Sequence, residues 1–237
     1  MRSPVAAAIA GALLSISAWP ANAQMFSPDY GTMGAPMSSF LDNSYLTQQV
    51  VNDTSFRSSI ESGDRPAVGA ADLTFRASGG PSGAAKAFSE SYPPEHRAEA
   101  RQVFEELLAR YGQVEQQFGL QSRDLASAAA AFVAGSYMGY RNADFPDAHF
   151  RPLVEQMRAV LSRSPEIAAA SDAEKQDMYE RLVVLGMFMA ATQMALKSRP
   201  DAAVAANMHE AAGGYLAQFL QTDPDRGVIG PQGLSVK

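Results

Sequence analysis

The chain has 237 residues, a formal net charge of −6 and no cysteine. The absence of cysteine excludes thiol catalysis, cysteine-ligated zinc and iron–sulfur clusters. Because the chain is acidic and has no basic run, we expect no nucleic acid partner, and anionic lipid is a poor candidate.

The N-terminus has the layout of a secretory signal peptide. Arg2 supplies a basic start, an apolar run extends from Val5 to Trp19, and Ala21-Asn22-Ala23 forms the small-x-small cleavage pattern. The apolar run is shorter than the roughly 20 residues of a membrane-spanning helix. We therefore predict a signal peptide over residues 1–23 and a periplasmic or secreted protein. No cysteine follows the cleavage site, so no lipid anchor is expected.

The following segment, residues 24–85, is rich in Gly, Pro and Ser and shows no sustained helical period. This composition is typical of turns and linkers. The segment has too few apolar residues to build a core of its own, so we predict that it is irregular. The alternating stretch from Asp72 to Arg76 is compatible with an edge strand.

Residues 86–222 have helical patterns nearly throughout and predict an all-α domain, a single bundle of five to six helices. The first helix begins at Pro93-Pro94-Glu95, where proline and an acidic residue suit a helix N-terminus. Its apolar stripe extends from Val103 to Phe118. Gly119 is placed to end this helix in the left-handed conformation.

The next three helices are predicted from their capping residues. Ser122 is expected to cap a second helix that ends near Asn142. Proline deep inside a helix costs about 3 kcal/mol, so Pro152 places the start of the third helix near Arg151. Ser164-Pro165-Glu166 begins a short fourth helix.

The fifth helix contains the most apolar stretch after the N-terminus. Ser171 and Glu174 form a capping box that begins this helix. The apolar stretch, Arg181–Lys197, is too short to cross a hydrocarbon core of about 30 Å. A helix that is apolar on all sides is expected to be surrounded by other helices, and Gly186 allows a close approach. We predict a central core helix and no stable transmembrane span in the mature chain.

A sixth helix and a tail complete the predicted chain. Arg199-Pro200-Asp201 separates the fifth helix from the sixth, which extends to near Gln221. The last segment, residues 223–237, contains Pro and Gly at intervals and is predicted to be an extended tail.

No catalytic or metal-binding motif is recognisable in the sequence. None of the three histidines has a second histidine at helical spacing, so no local metal clamp is present. Ser136 lies mid-helix and is flanked by Ala134 and Met138, which does not fit a nucleophile elbow. Neighbouring Glu105 and Glu106 point about 100° apart on a helix and are a poor acid–base pair. We predict no metal and no cofactor, and we favour a non-enzymatic protein.

One polar aromatic cluster is the best candidate for a binding site. It ends the second helix and continues into the connection "ADFPDAHF", and it comprises Tyr137, Tyr140, Arg141, Asp144, Asp147 and His149. Groups of aromatic and arginine side chains can anchor a partner. The alternative interpretation is that the tyrosines pack at the edge of the core with their hydroxyls outward.

Several stretches resemble an uncharacterised family of exported bacterial proteins, a domain of unknown function. The resemblance covers about residues 90–235 and includes "DLASAAAAFVAGSYMGYRNADFPD" and "DPDRGVIGPQGL". Asp124-Leu125-Ala126 and Asp172-Ala173-Glu174-Lys175-Gln176 are its most telling pieces. The resemblance implies no activity, and the Gly/Ser-rich N-terminal region is expected to lie outside it.

Three functions remain open from the sequence. The first is an exported, non-enzymatic helical domain that binds a protein or a cell-envelope component. The second is an envelope-polymer hydrolase whose carboxylates converge only in the fold. The third is a membrane-active protein that unpacks its fifth helix.

Overall fold

The computed structural model describes residues 71–236. The predicted signal peptide and most of the predicted irregular segment lie outside the described residues. Seven α-helices and one hairpin follow one another: α1 (Gly83–Glu90), α2 (Arg97–Gln117), α3 (Leu125–Arg141), α4 (Phe150–Leu161), α5 (Pro165–Ala169), α6 (Asp172–Ser198), α7 (Ala202–Leu220), β1 (Gly227–Gly230) and β2 (Gly233–Val236). The predicted all-α bundle is confirmed, and α1 begins a few residues before the predicted start of the domain.

The core is built around two neighbouring helices, α3 and α6. Near their N-terminal ends, Ser127 of α3 and Tyr179 of α6 both donate hydrogen bonds to Glu115 of α2. At their C-terminal ends, the amide of Gln193 donates to Asn142 at 2.6 Å. The two helices therefore run in the same direction along their whole contact.

The backbones of α3 and α6 touch because each helix has a glycine at the crossing. A Cβ atom built on Gly135 would lie 2.0 Å from the carbonyl oxygen of Gly186. A Cβ atom on Gly186 would lie 2.4 Å from the carbonyl oxygen of Ala131. The apolar stretch of α6 therefore occupies the predicted central position. Within residues 71–236, no helix has both the length and the apolar composition needed to span a membrane.

The remaining helices cover this central pair with aromatic contacts. Phe132 of α3 packs against Tyr215 and Phe219 of α7, with ring centroids 5.9 and 5.5 Å apart. On another side, Phe88 of α1 packs against Phe104 of α2 with centroids 5.5 Å apart. These rings are almost fully buried, so the described part of the chain has one continuous core.

Several helix ends lie where the sequence predicts them. Gly119 has a φ of +60° immediately after the end of α2. Asn142 takes the left-handed conformation that ends α3. Ser171 and Glu174 form the complete capping box of α6. These residues end or cap the helices, whose terminal backbone groups would otherwise lack hydrogen-bond partners.

The predicted cap of α3 was wrong. Ser122 is exposed, and Arg123 takes a positive φ of 58°, so the helix cannot begin before Arg123. The cap is Asp124, whose carboxylate accepts from the backbone N–H of Ala126 at 3.1 Å. The helix therefore begins two residues later than predicted, with a fully buried acid at its N-terminus.

Replacing Ser171 with alanine should destabilise the domain by about 1 kcal/mol, because the N-terminus of α6 loses a side-chain cap. Ser171 accepts from the backbone N–H of Glu174 at 3.3 Å, and Glu174 accepts in return from the N–H of Ser171 at 2.8 Å. Chemical denaturation measures the loss. Ser171→Gly should cost only a few tenths of a kcal/mol, because glycine is tolerated at the N-cap position. Equal losses for both variants would argue against the cap.

Residues 71–76 form an extended segment that crosses the N-terminal ends of α3 and α6, and we name it the N-terminal strap. Its Leu73 carbonyl accepts from the backbone N–H of Leu125 at 3.0 Å. The predicted edge strand within it is reduced to one isolated bridge between Thr74 and Asp124. The strap thus occupies one of the N–H groups that a helix N-terminus leaves open.

The C-terminal segment, predicted to be an extended tail, forms a β-hairpin. Strands β1 and β2 are antiparallel, with Ile229 opposite Leu234. Gly233 ends the turn with a φ of +100°. Gln156 of α4 fixes the outer edge of β2, because its amide both donates to the Leu234 carbonyl and accepts from the Leu234 N–H at 2.7 Å.

Candidate functional site

The structure divides the predicted binding cluster into separate groups. Tyr140 and Arg141 contact the C-terminal segment: the Tyr140 hydroxyl donates to Asp225 at 3.0 Å, and Arg141 forms an ion pair with the same carboxylate at 3.1 Å. Arg141 also donates to the main-chain oxygens of Asp225 and Gly227. These two site residues therefore form an intramolecular latch on the C-terminal segment.

Three further contacts engage this end of α3 within the protein. His209 of α7 stacks on the ring of Tyr140, with centroids 4.6 Å apart and planes inclined by 14°. Tyr137 is half-buried against the core. Asp144 forms an ion pair with Lys197 at the end of α6. Tyr137 and Tyr140 thus lie at the edge of the core, as in the alternative interpretation of the sequence.

The connection after α3 adjoins a surface that we name the aromatic face, defined by Phe118, Leu120 and Phe145. All three side chains are half-buried and pack against the core. The buried ring of Phe150 supports the two phenylalanines, with its centroid 5.1 Å from Phe118 and 6.4 Å from Phe145. Phe118, which follows α2, and Phe145 of the connection therefore pack against the same ring of α4 at a partly exposed surface.

The last two predicted site residues lie beside the aromatic face, in the short 3₁₀ turn that precedes Phe150. Burial raises the pKa of the Asp147 carboxyl. The Nδ1 atom of His149 is buried, and no residue from 71 to 236 forms a hydrogen bond with it. In the same part of the chain, no group of three or more His, Asp or Glu residues is arranged to hold a metal ion.

A second polar site, the Glu115 cluster, was missed from the sequence; it comprises Tyr111, Glu115, Asp124, Ser127 and Tyr179. Glu115 is only 2% exposed, and Ser127 and Tyr179 each donate a hydroxyl hydrogen bond to its carboxylate at 3.0 Å. Asp124 is fully buried and forms an ion pair with Arg158 of α4. The cluster therefore joins α2, α3 and α6, and its ion pair extends the connection to α4.

Burial dominates the acid–base chemistry of this cluster. It raises the pKa of Glu115, which the Tyr179 and Ser127 hydrogen bonds only partly oppose, and the neighbouring Asp124 raises it further. Burial also raises the pKa of Asp124 despite the opposing Arg158 guanidinium. For the same reason, the pKa values of the Tyr111 and Tyr179 hydroxyls lie above their ordinary range, so both stay protonated.

Comparison with known proteins places the sequence in a family. The sequence matches a family of unknown function, DUF6683, over residues 3–237. The chain belongs to DUF6683. The match is longer than the predicted resemblance and includes the Gly/Ser-rich region that was expected to lie outside it. No curated protein and no solved structure matches the chain.

The sequence does carry a signal for Glu115, which sequence reasoning alone passed over. Glu115 lies four residues after Tyr111 and beside Val114, so it falls on the apolar stripe of α2. Glu105 and Glu106 lie away from that stripe and instead form pairs with arginines four residues away. An acid on a buried stripe must be hydrogen-bonded within the core, as Glu115 is.

Replacing Glu115 with glutamine should stabilise this DUF6683 chain at neutral and higher pH. Because burial raises the pKa of Glu115 above its ordinary value, the folded state retains a proton that the unfolded state has released. The stability that this proton contributes is lost as pH rises through the folded-state pKa, and a neutral amide avoids the loss. Thermal unfolding at about pH 4 and about pH 8 measures the difference.

The exposed Glu105→Gln variant is the matched control on the same helix. It should unfold like the wild type at both pH values, because Glu105 is solvated and its ion pair is worth less than about 1 kcal/mol. A Glu115→Gln variant that is less stable than wild type at high pH would contradict the predicted sign.

Proposed function

We propose that this chain is an exported, non-enzymatic helical domain that binds a protein or a cell-envelope component through the aromatic face. The observation that carries the proposal is a contrast between polar groups that are bonded within the protein and apolar side chains that remain partly exposed. The carboxylates of the Glu115 cluster and of the C-terminal latch are hydrogen-bonded within the protein, whereas Phe118, Leu120 and Phe145 are each half-buried at the surface. Partly exposed aromatic side chains with a polar rim are typical of binding surfaces.

The polar rim of this surface is supplied by the 3₁₀ turn. Asp147 and His149 are half-buried beside the aromatic face, and the buried Nδ1 atom of His149 has no partner within residues 71–236. A bound partner that donates to or accepts from this nitrogen would satisfy it. Support for export comes from residues 1–23, whose sequence has the layout of a signal peptide.

The hydrolase alternative also has an observation in its favour. It requires carboxylates that converge only in the fold, and Glu115 and Asp124 do lie close together: the Ser127 hydroxyl contacts both the Glu115 carboxylate and the Asp124 carbonyl, and the charge of Asp124 raises the pKa of Glu115. Both carboxyl groups are almost fully buried, however, and both are hydrogen-bonded. Their bonds to hydroxyls, a helix N-terminus and Arg158 favour a structural role over contact with a polymer substrate.

The binding proposal is tested by capture on the immobilised chain from an envelope extract, with Phe145→Ala as the test variant. Removing an anchoring aromatic side chain typically weakens binding by tenfold or more, that is by about 1.4 kcal/mol or more. Phe188→Ala is the matched control, because Phe188 is another half-buried phenylalanine and lies on α6. We expect a captured component that Phe145→Ala loses and Phe188→Ala retains.

Three results would count against the proposal. Equal recovery by both variants would remove the aromatic face as the binding surface. Turnover of purified peptidoglycan by the chain, lost in Glu115→Gln, would establish the hydrolase instead. Leakage of liposomes on addition of the chain would favour the membrane-active alternative, which requires α6 to separate from α3.

A further inference from the structure

The N-terminal strap lies directly against the Glu115 cluster. The ring of Phe75 contacts the ring of Tyr179 edge-on, with centroids 5.3 Å apart and planes inclined by 62°. The hydroxyl of the same tyrosine donates to Glu115. Thr74 forms its bridge with Asp124. Two consecutive strap residues therefore contact two members of the cluster.

Only a few polar contacts hold the strap in place. Lys175 of α6 donates to the Asp72 carbonyl at 2.6 Å, and the Leu125 N–H donates to the Leu73 carbonyl at 3.0 Å. The first described residue, Ala71, donates to the Ser162 carbonyl at 2.8 Å. Leu73 and Phe75 of the strap are buried in the core, so apolar packing also holds it. The strap nevertheless lies outside regular secondary structure and forms few backbone hydrogen bonds, which is typical of segments that open before the whole fold does.

Hydrogen-bond donors face the Glu115 carboxylate, but no cation forms an ion pair with it within residues 71–236. The groups that face it are Tyr111 on its own helix, the backbone N–H of Arg123, Asp124 and Ser127 at the start of α3, and Tyr179 on α6. The nearby cation is Arg158 of α4, and it forms an ion pair with Asp124. Within residues 71–236, no salt bridge includes Glu115. When Glu115 ionises, a buried negative charge faces the buried carboxylate of Asp124.

We propose that the protonation state of Glu115 controls the docking of the N-terminal strap, with the neutral acid holding the strap and the carboxylate releasing it. The chemical change is the loss of one proton from Glu115 to solvent. Release of the strap uncovers Tyr179 and the N-terminus of α3, which lets water reach the new charge. The strap is released before the helices because it lies outside regular secondary structure and forms few backbone hydrogen bonds. The proposal does not depend on the binding function.

The sign and the pH window follow from linkage. Burial raises the pKa of Glu115 in the docked state, and the pKa returns toward its ordinary value of 4.5 when water reaches the carboxyl. Strap release should therefore be independent of pH below the ordinary value and should increase as pH rises toward the docked-state pKa. Within that window, the equilibrium for release increases by about tenfold per pH unit for one coupled carboxyl.

Hydrogen exchange of the Leu125 amide on the full chain is the direct measurement. This N–H is the donor to the strap, whereas the Ala126 N–H is held by Asp124 and serves as the internal reference. After correction for the intrinsic exchange rate, we expect the protection of Leu125 in the wild type to fall by about tenfold per pH unit in the window. In Glu115→Gln, the protection of Leu125 should stay high and nearly constant, and Glu105→Gln should follow the wild type.

Two outcomes would overturn the proposal. The same pH profile in Glu115→Gln and wild type would show that another group controls the strap. Direct titration of the Glu115 carboxyl in the wild type by NMR is the second measurement, and it needs no variant to fold. An ordinary pKa for Glu115 would remove the proposed control even if Glu115→Gln failed to fold.

Discussion

Alanine at position 186 is expected to destabilise the domain by about 3 kcal/mol or more, which exceeds the usual effect of one added methyl group. The added Cβ would lie 2.4 Å from the Ala131 carbonyl oxygen and 2.7 Å from the Phe132 Cα. Both atoms belong to the backbone of α3, so no side-chain rotation relieves the clash. Thermal unfolding should show a decrease in Tm of roughly 6–12 °C for a chain of this size. Leucine at the same position should destabilise the domain further.

Gly214 supplies the matched control. It lies within α7, is exposed, and has no heavy atom within 4 Å of a built Cβ. Gly214→Ala should stabilise the domain by about 0.5–1 kcal/mol, because alanine loses less backbone entropy in a helix than glycine. An unchanged Tm for Gly186→Ala would mean that α3 and α6 separate without cost, which would contradict their central contact.

Replacing Arg158 with methionine is expected to destabilise the domain by about 3–5 kcal/mol at neutral pH, because it leaves the buried Asp124 carboxylate without its cation. Asp124 is fully buried, and the Arg158 side chain is 29% exposed. Burial already raises the pKa of Asp124, and without Arg158 the pKa rises further. The loss should therefore become smaller as pH falls and Asp124 takes up a proton.

The double variant Asp124→Asn, Arg158→Met separates the buried charge from the packing of the side chains. Asparagine is a good helix cap, so the double variant should recover much of the stability that Arg158→Met loses. Arg101→Met removes an exposed ion pair with Glu105 and should cost less than about 1 kcal/mol. Denaturant unfolding of the four proteins completes the comparison. If Arg158→Met and Arg101→Met were equally stable, the buried ion pair would contribute little.

Helix positions could be predicted because local chemistry sets them. The capping box at Ser171, the glycine after α2 and the proline in α4 each restrict the backbone within one turn of the residue itself. Asp124 was missed as a cap because Ser122 offers the same chemistry two residues earlier. The choice between them depends on the strap and Arg158, which are distant in sequence.

The candidate site was harder to predict because its parts come from different elements. Tyr140 and Arg141 look like a free anchor in sequence, yet Asp225, more than 80 residues away, engages both. The aromatic face also combines residues from different segments, since Phe118 and Phe145 each pack against Phe150. Periodicity identifies which residues of one helix are buried, but it does not state which other element covers them.

The pairing of Gln156 with Leu234 also bears on how copies of this chain avoid one another. A two-stranded sheet exposes unpaired N–H and C=O groups along its outer edges, and such edges recruit strands from other molecules into aggregates. At β2, a glutamine amide from α4 occupies both groups of Leu234, as a neighbouring strand would. At β1, Arg141 takes the Gly227 carbonyl. Helix side chains thus give this small sheet the protection from edge-to-edge association that larger sheets obtain from further strands.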